Sequence, residues 1–110
     1  MTQELLVKLK SGEVKFADVI AFIEARFEHH PTAFKNGQQV NAATENQGSA
    51  KVFSFAKLND LNPIDTLSLF AEHYRTVLDT PDATDHQNIR QFMIHGWDSI
   101  QFEGTALTAK

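Results

Sequence analysis

Apolar residues recur every three or four positions through most of this chain, and the polar breaks between these stretches divide it into short helices. Leu5, Leu6 and Leu9 share one face of a first helix, opened by Thr2 as an N-cap and closed at Ser11-Gly12. Phe16, Val19, Ile20, Ile23 and Phe27 make the stripe of a second, with Glu24 and Glu28 on its wet side. It ends at His29-His30-Pro31, because the residue before proline is disfavoured in helical geometry. Asn36-Gly37, flanked by Phe34 and Val40, reads as a type I′ turn in a short hairpin. After a polar stretch over 41–49, Val52, Phe53, Phe55, Ala56 and Leu58 predict a third helix, although Phe53 and Phe55 also alternate as a strand would.

Asn62-Pro63, followed by Asp65, opens a fourth helix whose stripe is Ile64, Leu67, Phe70, Ala71, Tyr74 and Leu78. Glu72 and His73 lie off that stripe and read as solvated. Thr84-x-x-Gln87 has the form of a capping box for a fifth helix, with Ile89, Phe92 and Met93 inward and His95-Gly96 at its end. Beyond Trp97, residues 99–102 and 105–108 read as strands joined at Glu103-Gly104, partners for the first hairpin. The fold class is α+β: about four to five helices packed on a small antiparallel sheet made of two short hairpins. The chain is one domain over 1–110. Its core should include Phe16, Ile20, Ile23, Phe27, Phe55, Leu67, Phe70, Tyr74, Ile89, Phe92 and Trp97.

Composition narrows the chemistry. With 42% hydrophobic residues and nine Phe, the chain can bury one real core without a staple. The absence of cysteine removes disulfides, thiolate metal sites and a Cys nucleophile. Ten basic side chains, scattered singly, against fourteen acidic ones leave a formal charge of −4, which argues against nucleic acid. No apolar run nears the roughly 18–20 residues that span a bilayer, and the start lacks a signal peptide's basic and apolar regions. The expected location is the cytoplasm.

Several blocks of residues, in one order, resemble a known family. They are Phe34-Lys35-Asn36-Gly37, then Asn41, then the run Glu45-Asn46-Gln47-Gly48-Ser49-Ala50-Lys51-Val52-Phe53-Ser54-Phe55-Ala56. Thr66-Leu67-Ser68-Leu69-Phe70, Tyr74, Val77, His86-Gln87-Asn88-Ile89-Arg90-Gln91-Phe92 and Gly96-Trp97 complete the pattern. Over residues 16–107 the chain is similar to the HopJ family, named as type III effectors of bacteria. The resemblance implies a route, secretion into a host cell, and no reaction. One departure is Ala50, where the family pattern carries Cys.

Two constellations are candidates for chemistry. In the first, Asn36, Asn41, Glu45, Asn46, Ser49 and Lys51 could line a polar pocket, with Glu45 as a general base. The plainer reading gives Asn36 to the turn, Asn41 and Asn46 to loop caps and Ser49 to a helix start, and it carries more weight. In the second, His86 and Arg90 lie four apart on one helical side and would suit an anion, with Asn88 pointing elsewhere. The plainer reading is a half-buried His bonded to a carbonyl and an Arg paired with a carboxylate. None of the histidines at 29, 30, 73, 86 and 95 has the paired spacing of a metal site. Ser49 lacks a nucleophile elbow. The five glycines stand singly, so no phosphate loop and no cofactor is expected.

Two functions remain open. The favoured one is an interaction module, cytoplasmic or effector-like, with an exposed apolar or charged patch and an unknown protein partner. The other is a small-molecule enzyme or ligand-binding protein with a pocket between the 41–51 loop and the 86–90 helix start, using Asn41, Glu45, Asn46, Ser49, Lys51, His86, Asn88 and Arg90. Either fits a monomer or weak dimer acting without nucleic acid or membrane.

Overall fold

Leu5, Leu6 and Leu9 form the buried face of α1 (Thr2–Ser11), and Gly12 follows it at φ 80°. This is a computed structural model that describes residues 2–110; the Thr2 side chain, expected as a cap, lies outside the described residues. α2 (Phe16–Arg26) buries Val19 and Ile23. It stops earlier than the His-His-Pro signal predicts. Phe27 turns extended (φ −134°, ψ 148°) and begins β1 (Phe27–His29).

The expected hairpin is β2 (Phe34–Asn36) and β3 (Gln39–Asn41). Asn36 pairs with Gln39, so the loop is Gly37 and Gln38, with Gly37 at φ 59°. Asn36 is therefore a fully buried strand residue and not half of the turn. A Cβ on Gly37 would collide with the side chains of Gln91 and His95, so glycine also lets the hairpin approach its neighbouring helix.

The third helix, α3 (Gln47–Leu58), starts earlier than its apolar residues indicate and settles the Phe53–Phe55 alternation as helix. The long fourth helix of the pattern is two: α4 (Pro63–Ser68) and α5 (Glu72–Asp79). Asn62 caps α4 as expected, its Oδ1 accepting from the Asp65 N–H at 2.8 Å. The chain then breaks at Ala71 (φ 51°, ψ −121°). This break turns Leu78 outward, while Ile64 is exposed on α4. α6 (Gln87–His95) begins after His86, which sits in left-handed geometry at φ 51°. Thr84 is thus two residues too early to be the cap. Gln87 Nε2 donates to its carbonyl at 2.7 Å instead of closing a capping box. Met93, expected inward, is exposed because Ile89 and Phe92 already define the buried face of α6.

A 3₁₀ turn (Gly96–Ser99) leads to β4 (Ile100–Phe102) and β5 (Leu107–Ala109). These two strands do not form the expected second hairpin. β4 pairs with β2 in a three-stranded sheet ordered β3-β2-β4, while β5 crosses to pair antiparallel with β1. The second pairing captures the backbone of residues 27–29 that the sequence assigned to a helix end.

Phe53, fully buried, centres the core, with its ring 5.0 Å from Phe92, 5.3 Å from Phe70, 6.2 Å from Phe34 and 6.3 Å from Trp97. Every residue expected in the core is in this cluster or packed against it. Trp97 plugs one end and donates its indole N–H to the Leu61 carbonyl at 3.1 Å.

Candidate functional site

Four asparagines supply the frame of the site. Asn41 is 1% exposed and meets Asn88 in a reciprocal amide pair, donating to its Oδ1 at 3.2 Å and accepting from its Nδ2 at 3.0 Å. Asn36 donates to the Asn88 carbonyl at 2.7 Å and to its Oδ1 at 3.2 Å. Asn46 donates to Asn41 Oδ1 at 2.7 Å. The hairpin, the start of α3 and the start of α6 are thereby tied at one point by side-chain amides, of whose buried atoms only Asn36 Oδ1 lacks a partner among the described residues. Asn88, expected to point away, is the hub of this network.

Above the frame opens a cleft of about 440 Å³, lined by Phe16, Gln39, Asn46, Gly48, Ser49, Phe70, His73, His86, Gln87, Asn88 and Ile89. One wall is a row of rings. Phe16 stacks on Phe70 at 5.9 Å, His73 meets the Phe16 ring at 4.9 Å, and His86 follows at 5.1 Å from His73. The opposite wall is the first turn of α3. No Asp or Glu lines the cleft. The nearest carboxylates bond outside the lining, although Asp85 Oδ2 also stands 3.9 Å from His86 Nε2. Glu72 Oε1 accepts the Phe16 N–H at 2.7 Å, and Asp85 Oδ1 accepts from Arg90 at 2.8 Å.

Both of these carboxyl groups are shifted in acidity. Burial pushes Glu72 up, but the Phe16 N–H, its own N–H and the nearby charges of His73 and Lys15 outweigh this and hold it below its usual value. The hydrogen bond from Arg90 holds Asp85 below the usual carboxylate range.

Of the residues the sequence nominates, the cleft gathers Asn46, Ser49, His86 and Asn88, with Asn41 directly behind them. Three stand apart. Glu45 is exposed and caps its own loop, accepting the Ala42 N–H at 3.0 Å. Lys51 pairs with Glu24 at 3.0 Å. Arg90 is buried and holds the 80–85 loop, donating to the carbonyls of Asp85 (2.5 Å) and Thr80 (2.8 Å) besides the Asp85 carboxylate. His86 makes no helical pair with Arg90, since it precedes α6 and turns toward His73. The sequence reading missed His73, Phe16 and Phe70 as lining residues. Only the Ala71 break brings His73 round to the cleft, and no residue there announces it. Among the described residues no three His, Asp or Glu side chains group as a metal ion would need.

Backbone strain falls in the same place. Asn46, Ala71 and His86 are three of the four described non-glycine residues at positive φ, and each immediately precedes a helix at the cleft.

The family described as HopJ type III effector protein matches residues 2–107. The chain belongs to the HopJ family. A solved structure titled as the crystal structure of unknown function protein VPA0580 is similar to this HopJ chain at 47% identity, with a TM-score of 0.90 over 98% of this chain and 92% of that one. No curated protein matches the chain. The helices and sheets are thus the HopJ fold, and among the described residues no helix is long and apolar enough to cross a membrane.

Proposed function

We propose that this HopJ protein is a small-molecule-binding protein of the cytoplasm whose ligand carries an anionic group and a flat apolar portion. The observation that carries this reading is one cleft in which His73 and His86 continue the Phe16–Phe70 row of rings opposite Ser49, with no carboxylate in the lining. Two imidazoles can meet a negative group as hydrogen-bond donors. The hydroxyl of Ser49 can donate beside them, and the first N–H groups of α3 and α6 have no acceptor within their own helices. The stacked Phe rings offer a flat apolar surface. The sequence alone favours an interaction module; the convergence of these side chains reverses that order.

The test is thermal stabilisation of the full chain by phenyl phosphate, with inorganic phosphate and phenol as partial probes. Phenyl phosphate at a hundredfold excess over its Kd should stabilise by about 2.7 kcal/mol, and each partial probe should do less at equal concentration. His86→Ala should leave the unliganded Tm nearly unchanged and remove most of the phenyl phosphate effect. Stabilisation that survives in the His73→Phe, His86→Ala double variant, or none with any of the three probes, refutes the proposal.

A further inference from the structure

α6 has a second apolar face. Ile89 and Phe92 point into the core, yet Met93 is 43% and Ile94 70% exposed on the other side. Leu78, turned out by the Ala71 break, is 51% exposed on α5. These three, with Val77, Pro81 and the flanks of Gln87, Arg90 and Gln91, line a groove of about 320 Å³ between α5 and α6. A helix apolar on two sides calls for two partners, and the chain supplies one.

We propose that this groove docks an amphipathic helical segment of a second protein, with bulky aliphatic side chains on its apolar face and basic residues at its flanks. The charges around the groove select that occupant. Asp79 and Asp82 flank Leu78 and Pro81, are exposed, and make no ion pair among the described residues. Arg90, the one cation in the lining, is neutralised by Asp85 and spent on the 80–85 carbonyls. Arg75, one turn before Leu78 on α5, can offset one of these two carboxylates and not both, so this stretch is acidic on balance. A second copy of this chain fits poorly. In a two-fold interface the same patch faces itself, which would set each copy's Asp79 and Asp82 against the other's. An anionic bilayer meets the same objection. A basic helix answers both the aliphatic floor and the acidic rim, the usual terms of helix-in-groove recognition.

The experiment titrates the isotope-labelled full chain with a Leu/Lys amphipathic peptide of about 18 residues, five helical turns, and with the same peptide carrying Glu for Lys. The Leu/Lys peptide should shift resonances of residues 77–82 and 87–94 and bind at least about tenfold tighter than the Leu/Glu peptide. Ile94→Ser, at an exposed position that leaves the fold intact, should weaken the Leu/Lys peptide about tenfold. Asp79→Asn with Asp82→Asn should weaken it in low salt and leave it unchanged in high salt. Equal binding of the two peptides, shifts centred elsewhere, or indifference to Ile94→Ser would overturn the proposal. So would a dimer of the chain alone that Ile94→Ser dissolves, since the occupant would then be a second copy.

Discussion

Asn41→Ala removes the amide that ties the hairpin to α3 and α6, and its cost can be worked from the contacts. Six hydrogen bonds go: two with the Asn88 side chain, one from Asn46, one to the Phe34 carbonyl at 3.3 Å, and two long ones with Gln39 at 3.4 and 3.5 Å that contribute little. Asn46 is exposed and recovers water, so its loss is small. Asn88 is only 6% exposed and keeps Asn36 alone as a side-chain partner. A net loss near 1 kcal/mol for the bonds, with 1–3 kcal/mol for buried groups left unpaired, gives about 3 kcal/mol. For a chain of this length that is about 4 °C per kcal/mol, or about 12 °C in Tm. Urea unfolding followed by circular dichroism measures it, with Val40→Ala, 69% exposed in the same strand, as a control expected within about 0.5 kcal/mol. A loss below about 1 kcal/mol for Asn41→Ala would show that the network is not what joins these elements. The cleft's frame would then need another explanation.

Three further outcomes are expected. Ala71→Gly relieves a left-handed backbone at a buried position and should stabilise by about 1 kcal/mol in urea, although glycine is ordinarily the less stable residue. Arg90→Met should cost about 2–4 kcal/mol and speed amide exchange over residues 80–86, since the guanidinium holds that loop. Glu72 and Asp85 are held below their usual values of 4.5 and 3.8, so the native state binds those protons less readily than the unfolded one. Their contribution is present in full above those values and is lost as pH falls through the lowered ones; an acid titration of stability should flatten there in Glu72→Gln.

The core was legible because its period is local. Leu5, Ile23, Phe70 and Phe92 announce their burial within one helical turn of their neighbours, and the Asn62-Pro63 start is a cap with its own chemistry. What failed was set at a distance. No residue between Leu69 and Glu72 favours a break, since positive φ at an alanine is held by surrounding packing, and with it went the positions of His73 and Leu78. Thr84-x-x-Gln87 satisfied a local rule, but His86 adopted left-handed geometry first and moved the cap. The pairing of residues 107–109 with 27–29 carries no local signal, because strand partners are chosen by the assembled fold. Half of the cleft was visible as a polar cluster in the chain. The roles within it were not, because an asparagine bonded to a distant strand looks in sequence like one capping its own loop.

The β1–β5 ladder also governs the order in which the molecule can be finished. His30 and Thr108, bonded at 2.9 Å across it, are 78 positions apart. Closing so long a loop is entropically costly before its bonds form, so the seam should be among the last parts of the fold to zip. Until it does, residues 27–29 carry an unpaired strand edge beside Phe27. The exposure of that edge in a half-folded chain makes the seam the step at which productive folding competes with aggregation.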